Sequence, residues 1–257
     1  MVKPKIYVLD IETAPKIAYV WRFFKEHVGA KQVLDHGHIM SFAAKLLGDD
    51  KIIYHENRKD DDSLITKSLI EILDDADIII AQNGDRFDLP SINGRALVHG
   101  LQPPSPYKTV DTLQVARKEF KFERNSLEYL AMILGCEAKE AHKNFPGFEL
   151  WLECLRGNDA AWEEMKTYNI QDILTLEEVY LKMRPWIRNH ANLGILIEAE
   201  VPVCPKCGSV HVHHRGYTTT NTGKYKRFRC VECGGWARTR LTEFDKDKRK
   251  ALLVNAV

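Results

Sequence analysis

The sequence predicts an α/β protein: a mixed sheet flanked by helices, followed by a small cysteine-rich unit. Three observations carry that prediction. Short apolar, β-branched runs come first and then alternate with helical periodicities, the order expected when strands and helices share one core. The 257 residues are 44% hydrophobic and 28% charged, enough for one sizeable core plus an appendage, which excludes a disordered or fibrous chain. Four of the six cysteines fall between positions 204 and 233, apart from the other two.

Lys5 to Ile11 is the first strand, His38 to Leu47 the second, Lys51 to Tyr54 the third and Asp77 to Ala81 the fourth. Helical periodicity fills roughly 62–74, 89–99, 112–120, 126–134 and 159–183. Leu101 to Tyr107 holds three prolines, which support neither helix nor sheet ladder, and is a loop. Pro185 ends the last helix, and Arg188 to Val203 reads as a connector. The expected division is 1–187 for the sheet domain, 188–202 for a linker and 203–257 for the cysteine unit with its basic tail.

The net charge of +1 conceals an asymmetry. Residues 1–200 hold 25 Lys and Arg against 32 Asp and Glu, a balance of −7, whereas 201–257 hold 12 against 4, a balance of +8. The basic tail points to phosphates or to a solvated surface. No apolar run approaches the ~18 residues of a bilayer crossing, and Asp10 cuts the N-terminal apolar stretch short. Neither a membrane span nor a secretory signal is expected, and the expected setting is the cytoplasm. Cys136 and Cys154, isolated in the long part, read as small buried hydrophobes.

Asp10 and Glu12 are two apart on the first strand and therefore share a face. Paired carboxylates on a largely covered strand resist desolvation and repel each other, so they call for a cation, for which Mg²⁺ or Mn²⁺ is suited, unless they face water at the strand end. Asp88 stands where the fourth strand gives way to a helix that begins with Leu89-Pro90, a place for ligand-binding groups or for an acid that stabilises the helix dipole. Asp85, in the same turn, reads as solvated. On the long helix the seam Ala161, Met165, Tyr168, Asp172, Leu176, Val179, Met183 is apolar except for Tyr168 and Asp172, four apart on the face toward the sheet. An inward Asp meets either a Lys or Arg or a metal shared with other acids. Asp111, in Thr109-Val-Asp-Thr112, reads as a helix cap.

These motifs, Asp10-Ile-Glu12, then Asn83-x4-Asp88 with Phe87 before the Asp, then Tyr168-x3-Asp172, together resemble the DEDD superfamily of 3′–5′ exonucleases in its tyrosine-bearing branch. Thr167 occupies the position where the histidine branch would carry His. Asp10-Ile-Glu-Thr-Ala-Pro15 is similar to the proofreading domains of B-family DNA polymerases and to free-standing exonucleases of phage and bacterial genomes. The resemblance spans about 5–184. It implies a ribonuclease H-like fold with a mixed five-stranded sheet, and two Mg²⁺ or Mn²⁺ ions held by Asp10, Glu12, Asp88 and Asp172. It further implies a Tyr168 that orients the attacking water and an Asn83 that shapes the site or touches substrate, with Phe87 beside it. Lys143, and less so Lys139, precede the last helix where related enzymes carry a cation near the scissile phosphate, the other reading being ordinary exposure. Residues 16–37, with Trp21, Phe23 and Phe24, either contact the 3′ end or pack as a satellite core.

Cys204-Pro-Lys-Cys207 and Cys230-Val-Glu-Cys233 are two knuckles separated by 22 residues. Four thiolates in reach of one ion are a structural Zn²⁺ site, and with the Asn221-Thr-Gly223 turn the unit looks like a zinc ribbon. Lys224, Lys226, Arg227 and Arg229 interleave with Tyr225 and Phe228, the mixture that single-stranded nucleic-acid binding uses. Phe228 and Trp236 are expected to pack on the zinc core. The expected activity is a metal-dependent 3′–5′ exonuclease whose ribbon helps to hold nucleic acid, DNA more than RNA. The ribbon could also serve a replication or repair protein partner, and the rival readings are an inactive nucleic-acid adaptor and an endonuclease or exoribonuclease on the same fold.

Overall fold

The computed structural model describes residues 3–136 and 144–254, which form two compact units, Lys5–Tyr180 and a second that contains Leu181 and the residues after it. The chain first runs through β1 (Ile6–Thr13), β2 (Ile17–Ala18), β3 (Val33–Asp35), β4 (Ile39–Leu46), β5 (Ile52–Glu56), α1 (Ser63–Asp75) and β6 (Ile78–Ala81). It continues through α2 (Asp88–Val98), β7 (Lys108–Asp111), α3 (Thr112–Glu119), α4 (Leu127–Leu134), α5 (Glu149–Leu155) and α6 (Asp159–Met183).

The expected mixed sheet is present, with five strands in the order β5-β4-β1-β6-β7. β1 lies at its centre, antiparallel to β4 and parallel to β6, so ladders on both sides satisfy its backbone and its apolar residues can be fully covered. The pleat then sorts its side chains. Tyr7, Leu9 and Ile11 face a core built with Ile65 and Leu69 of α1 and Ile92 of α2. The alternate positions, Val8, Asp10 and Glu12, face the other side, where Leu150 of α5 and Ala161, Trp162 and Met165 of α6 pack. The α6 seam is buried as its spacing predicts, with Ala161, Met165, Leu176, Val179 and Met183 all at 1% exposure or less.

α5 and β7, like the short β2 and β3, are elements that periodicity does not reveal. α5 is seven residues long and buries only Leu150 and Cys154, too few for a helical stripe, though Cys154 is buried as expected. The indole of Trp162 fastens it to α6 by donating to the Cys154 carbonyl at 3.0 Å. β7 emerges directly from the proline-rich loop and pairs with β6 over four residues.

A polar cluster ties α1 and α2 to β4. Asp62, fully buried, accepts from Arg95 Nη2 at 2.6 Å, Arg95 Nε at 2.7 Å and the Ile39 amide at 2.8 Å, and it contacts His99 Nε2 at 2.5 Å. Burial alone would raise this carboxyl, but the Arg95 bonds and those that follow hold it below the usual range.

The second unit contains α7 (Leu193–Leu196), the three-stranded sheet of β8 (Val212–Thr220), β9 (Gly223–Cys230) and β10 (Trp236–Arg238), and α8 (Lys246–Ala251). Arg188 to Val203 is not the bare connector its composition suggests: it includes α7, buries Leu193 and donates the Leu193 amide to the Pro205 carbonyl at 2.9 Å.

Candidate functional site

Pleat and helix pitch bring the first and last motifs together. Carboxylate oxygens of Asp10, Glu12 and Asp172 lie within 4.8 Å of one another. Asp88 joins them through the backbone, its Oδ1 accepting the Ile11 amide at 3.1 Å, between the two β1 acids. Its position follows from the β6–α2 turn. Asn83 adopts φ +64°, a left-handed conformation that Asn tolerates well. At Gly84 an added Cβ would stand 2.4 Å from the Ala81 Cβ, so only glycine fits. Asp88 then opens α2, and Asp85 is exposed, as expected.

The electrostatics are those of acids short of a cation. Burial, then Glu12 and the other carboxylates, push Asp10 well above the ordinary range. Burial, then Asp172 and Asp88, push Glu12 up to about 8, while burial lifts Asp88 to about 7 and Asp172 to about 6. Among the described residues, no Lys or Arg ion-pairs with any of the four. An all-oxygen donor set under mutual repulsion fits hard divalent ions.

Three further side chains hold the acids, and two of them escaped the sequence reading. Tyr168 hydrogen-bonds Asp172, and burial followed by the Asp172 charge drives its phenol far upward. Asn169, fully buried, donates to Asp10 Oδ2 at 2.7 Å while accepting from Ser41 Oγ at 3.1 Å. Trp151 donates to Glu12 and meets the Tyr168 ring edge-on, centroids 6.0 Å apart. Asn169 adjoins the seam residue Tyr168, so a polar side chain flanking an inward Tyr was the available signal. Trp151 offered none, because α5 itself was not legible.

The remaining predicted positions fall as follows. The Asn83 backbone N–H donates to Asp111 Oδ1 at 3.0 Å, and Asp111 caps α3 through the Leu113 and Gln114 amides, as expected. Phe87 is 43% exposed at the start of α2. Lys139 and Lys143 lie outside the described residues. Trp21, Phe23 and Phe24 are 84–95% exposed, so they form no satellite core.

In the second unit the four cysteine sulfurs also gather within 4.8 Å. Cys204–Cys233 and Cys207–Cys230 are each 3.6 Å apart, sulfur to sulfur. A disulfide needs about 2.05 Å, whereas the edge of a Zn–S₄ tetrahedron with 2.3 Å bonds is about 3.8 Å, so the set can hold a tetrahedral ion. Backbone amides of Lys206 and Cys207 bond the Cys204 sulfur, and the Gly235 amide bonds that of Cys233 at 3.4 Å. The Cys207 thiol, then the Lys206 and Cys207 amides, draw Cys204 down to about 4 against the opposing effect of burial.

Around it, Lys226 pairs with Glu243 at 3.8 Å. Arg227 and Arg229 lie over Trp236, at 4.8 and 6.0 Å. Trp236 therefore does not pack on the cysteine core: it is 48% exposed, because its position on β10 faces Arg229 on the open side of the sheet. Phe228, on the other side, is partly buried and meets the His214 ring edge-on, centroids 5.6 Å apart.

A family model described as the RNase_H superfamily (RNase_H_2) matches residues 26–184, which include Asp88, Tyr168 and Asp172 and begin after Asp10 and Glu12. Among solved structures the chain is similar to the family B DNA polymerase from the hyperthermophilic archaeon Pyrobaculum calidifontis, at 14% identity and TM-score 0.52, over 71% of this chain and 25% of that one. The chain thus spans about a quarter of that polymerase's length, and the likeness is one of fold. No curated protein sequence matches the chain. No helix among the described residues is long and apolar enough to cross a membrane.

Proposed function

The chain belongs to the RNase H superfamily, whose fold and company make it a nucleic-acid-cleaving hydrolase in general terms, and from that premise we propose a metal-dependent 3′–5′ exonuclease of the tyrosine-bearing DEDD branch acting on single-stranded DNA. The observation that carries this reading is the convergence of Asp10, Glu12 and Asp172 within 4.8 Å, with Asp88 bonded between the first two and Tyr168 bonded to the last. The polymerase likeness supports it, since the Asp10 stretch resembles the proofreading domains of that polymerase family.

Asp10, Glu12, Asp88 and Asp172 would hold Mg²⁺ or Mn²⁺, which when bound supplies an ionised water and a counter-charge for the leaving oxygen. The chain's own residues set the geometry. Tyr168 keeps its proton at neutral pH because its phenol is pushed upward, so it orients the nucleophile rather than deprotonating it. Asn169 fixes the rotamer of Asp10, and Trp151 that of Glu12. We assign catalysis to 1–187 and substrate holding to the zinc ribbon of 203–257, with the α7-bearing stretch 188–202 structured between them.

The test is hydrolysis of end-labelled and circular single strands with Mg²⁺ or Mn²⁺. Stepwise loss of 3′ nucleotides from linear DNA, an intact circle, and a loss of about 10³-fold in Asp10→Ala are expected, since removing a metal ligand forfeits several kcal/mol. A cut circle would establish an endonuclease, and no metal-dependent cleavage would establish an adaptor.

A further inference from the structure

The second unit sorts its charges by face. β8, β9 and β10 contain no Asp, Glu, Asn or Gln in their 20 residues. On β9, Tyr225, Arg227 and Arg229 point to one side, and Lys224, Lys226 and Phe228 to the other. β10 completes the first side, because Trp236 stands directly opposite Arg229, and Arg238 opposite Arg227. The result is a ladder of rings and cations: Arg238 lies 4.0 Å over Tyr225, Arg227 4.8 Å over Trp236 and Arg229 6.0 Å over the same indole.

None of these guanidiniums has a carboxylate partner among the described residues. The nearby acids are engaged elsewhere, Glu232 with His211 at 2.9 Å and Glu243 with Lys226 at 3.8 Å, and Asp245 caps α8 through the Lys248 amide at 2.8 Å. Arg227 spends two donors on the Arg215 carbonyl and Arg238 one on that of Thr239, which leaves most of their N–H edges outward. A guanidinium held over a ring has already lost part of its rotamer freedom, so binding a phosphate costs it less. An indole 48% exposed on the same face offers a surface on which an unpaired base can stack. The absence of carboxylate and amide side chains removes the groups that read base edges on adenine and cytosine.

We propose that Tyr225, Arg227, Arg229, Trp236 and Arg238 form a sequence-independent binding face for single-stranded nucleic acid, with the arginines on successive phosphates and Trp236 stacked on a base. This deepens the reading of the ribbon as substrate-holding and rests on it. It also parts from the expectation drawn from the sequence, because Lys226 lies on the opposite face, paired with Glu243, and has no place in this one.

The test is fluorescence anisotropy of the full-length, zinc-loaded protein with labelled oligothymidine, oligouridine and a DNA duplex, without Mg²⁺ or Mn²⁺ so that no strand is cut. Each phosphate contact contributes about 0.7 to the salt slope for single strands. The triple variant Arg227→Ala/Arg229→Ala/Arg238→Ala is therefore expected to lower that slope by about 2 and the affinity at 0.1 M salt by ~100-fold. Lys224→Ala/Lys226→Ala is expected to lose less than ~5-fold, and Trp236→Ala ~10-fold, with Trp236→Phe restoring most of it. The triple Arg→Lys variant, which keeps the charge but not the stacked fork, is expected to fall between. Zinc content of one per chain in each variant shows that the unit is folded. Equal losses from both faces, tighter duplex than single-strand binding, or unchanged affinity in the triple Ala variant would each overturn the proposal; the last result would turn the face toward an acidic protein. Face-specific binding by a protein that cleaves nothing with Mg²⁺ would keep this face and remove the exonuclease, whereas metal-dependent cleavage by a protein whose triple Ala variant binds strands unchanged would do the reverse. Oligothymidine against oligouridine decides between DNA and RNA.

Discussion

Asn169 is the side chain on which the acidic site turns without touching a substrate. Its amide is shared between Ser41 and Asp10, so Asp10 is held in one rotamer by a partner that is itself held. Outer partners of this kind are worth about 10–100-fold in metal affinity. Asn169→Ala is therefore expected to raise the Mn²⁺ concentration for half-maximal binding by that factor in a calorimetric titration, with far-UV dichroism unchanged. Trp151→Phe keeps the ring against Tyr168 but removes the donor to Glu12 and is expected to act in the same direction, more weakly. The four acids also oppose folding. Asp10→Asn removes a buried charge from a repulsive cluster, so in metal-free protein it is expected to raise the melting temperature by several degrees, an exchange of stability for function seen at sites built of like charges. A lower melting temperature would mean that Asp10 already has a compensating partner.

The elements differ in how far their roles could be read in advance. β1 and α6 were legible down to single residues because β1 is a near-continuous apolar run and α6 carries a regular apolar seam, so an acid that interrupts either stands out: Asp10 and Glu12 on β1, Asp172 on α6. α5 was not, since seven residues with two buried positions give no period, and with it Trp151 was missed. The β6–α2 turn was legible as a turn but ambiguous in purpose. Asn83→Gly decides it: if the residue serves only its φ of +64°, cleavage is retained, whereas Asn83→Val is expected to cost 1–2 kcal/mol by urea unfolding. Asp62 was overlooked because its partners, Arg95 and His99, lie over 30 positions away. Its carboxyl is depressed on folding, so its stabilisation is present above the unfolded value near ~4 and is lost as pH falls below it. Asp62→Asn is expected to cost about 3 kcal/mol at pH 7, measured by urea unfolding, and to flatten the fall in stability on acidification.

At the scale of the molecule, opposite charge is segregated into two units, an acidic sheet domain and a basic three-stranded one. The composition announced that split, although it could not show that the stretch after Pro185 is structured. Cys204→Ser/Cys207→Ser is expected to release one zinc per chain and to open 203–257 to protease, while the unit Lys5–Tyr180 keeps its own melting transition. The central strand carries Asp10, and the helix that carries Asp172 lies some 160 residues further along the chain. The acids of β1 are therefore completed by a helix remote in sequence, so a change that loosens α6 from the sheet disperses the donor set even where no acid is altered.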